Sequence, residues 1–329
     1  MNTIAIAFIL YLLIVLGVGF YAVRILKDIK DFALGGQRLG PWVIALSERA
    51  SGESAWLILG LPGAALVAGL LELWTVVGCV SGIILSWLII AKPLREATKK
   101  YNAITLPELL ERRFNDEKGT IRILSAVIII FFFVFYVAAQ FSGAGKVLNV
   151  TFGLSEMQGM VLGALIIISY TILGGFFAVA WTDVIQGIIM FGTLVILPIV
   201  AFIEINSIGY SGAIWDTQTL FGGKIGWGAT AAALGGLSWG LGYLGQPHLV
   251  VRYMAINSAD NIGVSRKIAF AWAIPAFFGS MFIGLIGLQI VNAGVLSFDG
   301  KVIQSVSMLP DPEKLMPILA THLLPAWLA

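Results

Sequence analysis

The chain of 329 residues contains a single cysteine, Cys79, and two histidines, His248 and His322. One cysteine excludes an intrachain disulfide and a thiolate cluster. Neither histidine has a cysteine or a carboxylate close to it in sequence, so neither is typical of a metal or catalytic site. The chain also lacks a nucleophile motif and a phosphate-binding loop. These absences argue against an enzyme.

Charge is scarce as well, because Lys, Arg, Asp and Glu make up 12% of the residues and hydrophobic residues 59%. This composition is typical of an integral membrane protein. A helix needs about 20 apolar residues to cross a bilayer, and no segment alternates like a membrane-spanning strand. The first stretch is too long, and its start too poor in positive charge, for a cleaved signal peptide. We predict an all-α integral membrane protein with eight spans, near residues 3–25, 40–70, 72–91, 122–149, 157–178, 183–205, 226–251 and 267–293.

The positive charges are distributed unevenly. Fifteen of the 20 Lys and Arg residues fall in the segments 24–38, 92–122 and 252–267. The positive-inside rule places these segments in the cytoplasm and predicts a multi-pass protein of the plasma (inner) membrane with its N-terminus outside. Basic and acidic residues alternate in 92–122, so we expect a solvated cytoplasmic loop there and no nucleic-acid partner.

Two of the apolar spans are interrupted near their middle. The sequence Ala-Ser-Gly-Glu-Ser at 50–54 divides the second span, and a segment rich in glycine at 240–248 divides the seventh. Lipid cannot satisfy the backbone groups that a break frees, so a break is tolerated where it lines a cavity for solute and ions. The GxGxxG pattern at 240–245 lies inside a span and follows no strand, which argues against a dinucleotide site. The interruptions predict a transporter.

The first break carries charge, since Glu48, Arg49 and Glu53 lie within six residues. Charged residues in the middle of a membrane span face the protein interior or pair with each other. Arg49 and Glu53 are four residues apart, the spacing of an ion pair within a helix. Alternatively, the unwound segment binds a small cation through oxygen atoms. The candidate ligands are the carbonyl groups of Ala50 and Glu53 and the hydroxyl groups of Ser51 and Ser54.

Aromatic residues surround the second break. Trp239 and Tyr243 are four residues apart and share a helix face, with Trp56 and Tyr136 as potential partners. They are candidates for a wall around a compact solute, although Trp and Tyr also serve as packing and interface residues in membranes.

The segment 174–186 predicts a tight turn between the fifth and sixth spans. Either Thr182 or Asp183 caps the next helix, or Asp183 is a cation ligand.

Several of these motifs together resemble the sodium/solute symporter family, and in particular its sodium/proline symporters. They lie at 32–36, 56–63, 106–107, 174–175, 181–183 and 239–248, and the resemblance extends over nearly the whole chain. It implies one transmembrane domain with an amino-acid-transporter-like core of two inverted five-helix repeats. The extra N-terminal helix is 3–25, the first repeat 40–205, and the incomplete start of the second repeat 226–329.

The same resemblance implies sodium-coupled import of a small solute, with L-proline as the expected solute, Na⁺ as coupling ion and no other metal or cofactor. Carbonyl groups of Ala50 and Glu53 are then expected to bind sodium. The residues expected to surround or gate the solute are Trp56, Tyr136, Trp239, Tyr243, Gln246 and Pro247.

The chain departs from the family pattern in two ways. Gly52 stands where relatives that transport proline have Asp, and the adjacent Glu53 is a candidate replacement. The chain also ends before a ninth span, so we expect a fragment that does not transport by itself. Three alternatives stay open: import of another amino acid, carboxylate, vitamin or sugar, a sensory module of a signalling protein, and a membrane enzyme.

Overall fold

The computed structural model describes residues 3–210, 212 and 216–328. This part of the chain contains thirteen α-helices and one short hairpin of strands, with short 3₁₀- and π-helical segments between several of them. The helices are α1 Thr3–Val23, α2 Ile29–Leu34, α3 Pro41–Ala55, α4 Leu61–Ala68, α5 Glu72–Leu85, α6 Ala91–Lys100, α7 Leu106–Phe114, α8 Thr120–Phe152, α9 Glu156–Ser207, α10 Trp227–Gly242, α11 Pro247–Ala255, α12 Ile262–Asn292 and α13 Leu315–Leu323, and the hairpin pairs β1 Ser297–Phe298 with β2 Lys301–Val302.

Five helical runs of the described residues are long and apolar enough to cross a membrane. The runs Pro41–Lys100 and Glu156–Ser207 are 60 and 52 residues long, well beyond the roughly 20 residues that one crossing needs. The predicted span 226–251 is divided between α10 and α11, and each of these is shorter than a full span. The five runs are Thr3–Val23, Pro41–Lys100, Thr120–Phe152, Glu156–Ser207 and Ala259–Asn292.

The long run that contains α9 is bent back at Gly175. The backbone there has φ 51° and ψ −150°, which a residue with a side chain rarely adopts. Both limbs of α9 contact α1, because Tyr170 packs against Gly19 and the Gln186 side chain donates a hydrogen bond to the Tyr11 hydroxyl at 2.7 Å. The chain therefore reverses where the sequence predicts a turn.

Glycine residues let α5 and α10 approach closely. A Cβ atom on Gly82 would overlap the backbone of Gly240, and one on Gly240 would overlap the carbonyl group of Gly78. Small residues at helix contacts in membranes permit such backbone approach. This contact holds the end of α10, and with it the second break, against α5.

The expectation of a loop at 92–122 is wrong in part, because the segment contains α6, α7 and the start of α8. The Thr105 side chain caps α7 by accepting the N–H of Glu108 at 3.2 Å. Arg95 is buried, and its Nε donates to the Ile256 carbonyl group at 2.7 Å. The burial of Arg95 thus removes one of the counted charges from solvent.

We expect Gly82→Leu to lower the thermal unfolding midpoint of the purified protein, because overpacking a close contact costs about 1–3 kcal/mol. Differential scanning fluorimetry in detergent measures this midpoint. The control is Gly235→Leu on the open side of α10, where an added Cβ meets nothing within 4 Å. Equal midpoints for the two variants would contradict the proposed tight packing of α5 and α10.

Candidate functional site

The first break lies at Ser54, the last residue of the predicted interruption, where φ is 39° and ψ is −142°. Side chains of α8 replace the helical hydrogen bonds that are lost there. The Tyr136 hydroxyl donates to the Ser51 carbonyl group at 2.9 Å, and the Ala55 N–H donates to Gln140 Oε1 at 3.2 Å. Side chains of the protein therefore supply the hydrogen bonds that lipid could not give to the freed backbone groups.

A buried cluster of three charges lies beside the break. Arg49 Nη1 contacts Glu53 Oε1 at 2.7 Å, and Arg49 Nε donates to Glu48 Oε2 at 2.6 Å. The side chains of all three are at most 1% exposed. The expected pair of Arg49 and Glu53 is thus present, and Glu48 extends it. With both carboxylates ionised, the cluster carries one negative charge in excess.

Further donors converge on the two carboxylates of this cluster. Tyr243 donates its hydroxyl to Glu53 Oε2 at 2.7 Å, which links the first break to the second. Trp87 Nε1 and the Tyr253 hydroxyl donate to Glu48 at 3.1 and 3.2 Å. The carbonyl group of Glu53 accepts the N–H of Trp56. Both the side chain and the carbonyl group of Glu53 therefore already have partners within the protein.

A second buried network is centred on Asp183. Its Oδ2 accepts from Ser47 Oγ at 2.6 Å, Ser51 Oγ at 2.9 Å and Arg252 Nη2 at 2.8 Å. The expectation of a helix cap is wrong, because Asp183 lies inside α9, well past the reversal at Gly175. This network joins α3, α9 and α11.

Thr182 does not cap a helix either. Its hydroxyl donates to the Val179 carbonyl group, one turn earlier in α9, at 2.9 Å.

Arg252 is the partner in this network that the sequence pattern did not predict, because the positive-inside rule assigns it to a cytoplasmic segment. The residue is 3% exposed and lies in α11. Its position five residues after Pro247 was a usable signal, because a basic residue within the second half of a broken span needs an inward-facing partner.

The second break spans residues 243–246, between the end of α10 at Gly242 and the start of α11 at Pro247. Proline suits this first helical position because it has no N–H to leave unpaired. Trp239 stacks on Trp56 with ring centroids 4.9 Å apart and an angle of 22° between the ring planes. The expected contact between aromatic residues of the two broken spans is therefore present.

Tyr136 connects the two breaks from α8. Its hydroxyl contacts the first break at the Ser51 carbonyl group, and its ring lies 4.9 Å from the ring of His248 at the start of α11. Tyr136 also lines two cavities of the described part of the chain.

The larger cavity has a volume of about 980 Å³ and lies between α1, α3, α8 and α9. The other, of about 560 Å³, lies between α7, α8 and the second break. Glu53, Trp56, Trp239 and Tyr243 line neither of these two cavities. The predicted site residues on the larger cavity are Ala50, Ser51, Ser54, Tyr136 and Asp183, and those on the smaller one are Tyr136, Gln246 and Pro247.

We expect Arg252→Gln to destabilise the protein by about 3–5 kcal/mol, because removing one partner leaves the buried Asp183 carboxylate unpaired. Chemical or thermal unfolding of the purified protein measures this loss. The control is Arg122→Gln, which removes a half-exposed pair with Glu111 and is expected to cost at most about 1 kcal/mol. Similar losses in both variants would contradict the importance of the buried pair.

Two bacterial transporters with similar sequences are longer than this chain. The chain is 38% identical over 277 residues to the high-affinity proline transporter of Bacillus subtilis, an alignment that covers 82% of this chain and 58% of the relative. It is 36% identical over 289 residues to the sodium/proline symporter of Escherichia coli, covering 87% of this chain and 58% of the relative. The chain thus spans less than two thirds of the length of these relatives.

Solved structures and family models agree with this similarity. The fold is similar to that of a Na⁺-coupled sialic acid symporter, with a TM-score of 0.74 at 20% sequence identity, over 100% of this chain and 69% of that one. The model of the sodium:solute symporter family matches residues 32–329. This chain is therefore an integral membrane protein that belongs to the sodium:solute symporter family.

Proposed function

We propose that this chain forms the greater part of the ion and solute pathway of a secondary active importer, which couples the entry of L-proline to that of Na⁺. The names of the relatives at 36–38% identity support proline as the solute. The family is one of symporters, so the hypothesis of a membrane enzyme is set aside.

The observation that carries the proposal is the buried polar network around the break at Ser54. A broken helix beside two carboxylates and one guanidinium, which together carry one excess negative charge when both carboxylates are ionised, favours a cation. The proposed sodium ligands are oxygen atoms of Ala50, Ser51, Glu53, Ser54 and Asp183.

Arg252 occupies part of this proposed ion site. Its guanidinium contacts Ser51 Oγ at 2.5 Å and Asp183 Oδ2 at 2.8 Å. A sodium ion that used these oxygens would compete with Arg252, so ion binding and the contact between α9 and α11 would be coupled.

The proposed solute site lies between the two breaks. The stacked rings of Trp56 and Trp239 suit a compact solute with an apolar ring, and Tyr136 and Tyr243 contribute hydroxyl groups that already reach the first break. Gln246 and Pro247 complete the wall on the side of α11.

The proposed mechanism is alternating access. One helix bundle would rock against the other and expose the site to one side of the membrane at a time. In this proposal 3–25 is the extra N-terminal helix, 40–205 is the first of two inverted repeats, and 226–329 is the start of the second repeat, which is incomplete in this chain. We place the protein in the plasma (inner) membrane with its N-terminus outside, and lipid, Na⁺ and the solute are its expected partners.

The direct test is uptake of labelled proline by cells that express the complete reading frame, in sodium and with potassium replacing it. We expect accumulation in sodium and little in potassium. A protein that reaches the membrane without proline uptake would contradict proline as the solute. Uptake screens with other amino acids, carboxylates, vitamins and sugars, and a search for a fused signalling kinase, then separate the two remaining alternatives.

We expect Trp239→Ala to raise the half-saturating proline concentration about tenfold, because it removes the ring that stacks on Trp56 at the proposed solute site. Initial rates of uptake across proline concentrations measure this change. Trp227→Ala is the matched control, since this residue of α10 is 88% exposed. Unchanged kinetics in the Trp239 variant would remove Trp239 from the solute site.

A further inference from the structure

His248 is a buried polar residue that the proposed transport cycle leaves without a role. It is the second residue of α11, directly after the second break. Both ring nitrogens, Nδ1 and Nε2, are buried and have no hydrogen-bond partner among the described residues. Burying a polar group without a partner costs free energy, so an orphaned imidazole points to a partner that binds at another stage.

Aromatic packing fixes the orientation of the His248 ring. The rings of Tyr136 and Phe133 on α8 lie 4.9 and 5.4 Å from it, and they contact each other at 5.4 Å. The stack holds the imidazole in place, although it offers the ring nitrogens no hydrogen bond. Packing therefore explains the position of the ring, but it does not explain why Nδ1 and Nε2 are buried without a hydrogen bond.

The cavity of about 560 Å³ beside His248 has room for a small solute. Its volume falls within the roughly 300–1,000 Å³ of typical ligand pockets, and its lining is mainly apolar. The lining includes Leu106, Leu110, Phe132 and Phe133, whereas the polar side chains around it are Ser125, Tyr136, Gln246 and His248. A few polar groups in an apolar cavity are typical of sites that orient a small molecule.

No acidic side chain of the described residues repels a carboxylate in this cavity. The residues that line it, all of them within the described part of the chain, include no Asp or Glu. Arg252 on the same helix donates to the His248 carbonyl group, and its charge is paired with Asp183 at 2.8 Å. The imidazole N–H needs an acceptor, and a carboxylate accepts a hydrogen bond whereas an ammonium group does not.

We propose that His248 is a solute-contacting residue, and that its imidazole N–H donates a hydrogen bond to the carboxylate of the transported amino or imino acid in this second cavity. Tyr136 lines both cavities, and His248 packs against it on the side of the smaller one. The inference rests on the proposed import of proline, and it adds a solute contact in the smaller cavity.

Two variants of His248 separate a hydrogen-bonding role from a packing role. His248→Phe keeps the aromatic stack and removes both nitrogens, whereas His248→Gln keeps a donor and an acceptor and removes the ring. We expect His248→Phe to raise the half-saturating proline concentration about tenfold and His248→Gln to change it less than about threefold. The reverse order, with the Phe variant like wild type and the Gln variant impaired, would overturn the proposal.

The measurement is initial proline uptake in sodium by the complete reading frame, normalised to the amount of protein in the membrane. His322→Phe, an exposed residue of α13, is the control for loss of a histidine and is expected to match wild type. Competition with prolinamide adds a readout for the carboxylate, because the preference of wild type for proline over prolinamide should shrink in His248→Phe. An unchanged preference would overturn the contact with a carboxylate.

The failure of this inference differs from failure of the proposed function. Wild-type protein without sodium-dependent proline uptake would overturn both. Normal wild-type uptake together with unchanged affinity and preference in His248→Phe would overturn the role of His248 alone.

Discussion

The pairing of the enclosed Arg49 guanidinium with Glu48 and Glu53 is the interaction on which the architecture around both breaks depends. A charge enclosed in a membrane protein is tolerated only when its partners are held in place, and these two carboxylates are held by donors from other segments. Tyr243 brings the end of α10 to Glu53, and Tyr253 brings α11 to Glu48. One buried cation thus draws both halves of the second broken helix against the first.

The network around Asp183 has a different character, because it joins α3, α9 and α11 through one carboxylate oxygen atom. Ser47, Ser51 and Arg252 all converge on that atom. In the ion site that we propose, sodium would compete with the Arg252 guanidinium for these oxygen atoms, which would link ion occupancy to the packing of the three helices. Such linkage is what a coupled transporter requires, since ion binding must change the equilibrium between conformations.

Backbone breaks in this molecule are compensated by specific neighbours. At Ser54, α8 supplies Tyr136 and Gln140 to the groups that the helix releases. At Gly175, the absence of a side chain permits a backbone conformation that reverses α9, close to Phe32. Glycines between α5 and α10 allow these helices to pack closely beside the second break. Each of these interruptions in a helix is therefore stabilised by contacts from other helices.

The sequence by itself determined the class of protein, the positions of both interrupted helices and the pair of Arg49 and Glu53, because these depend on composition and on local spacing. Only the tertiary structure decided that Tyr243 reaches Glu53 and that Arg252 pairs with Asp183, since these partners are 190 and 69 residues apart. Local sequence patterns indicate which residues cannot face lipid. They do not indicate which distant residues these will contact. The packing of helices brought in from distant parts of the chain selects the partners.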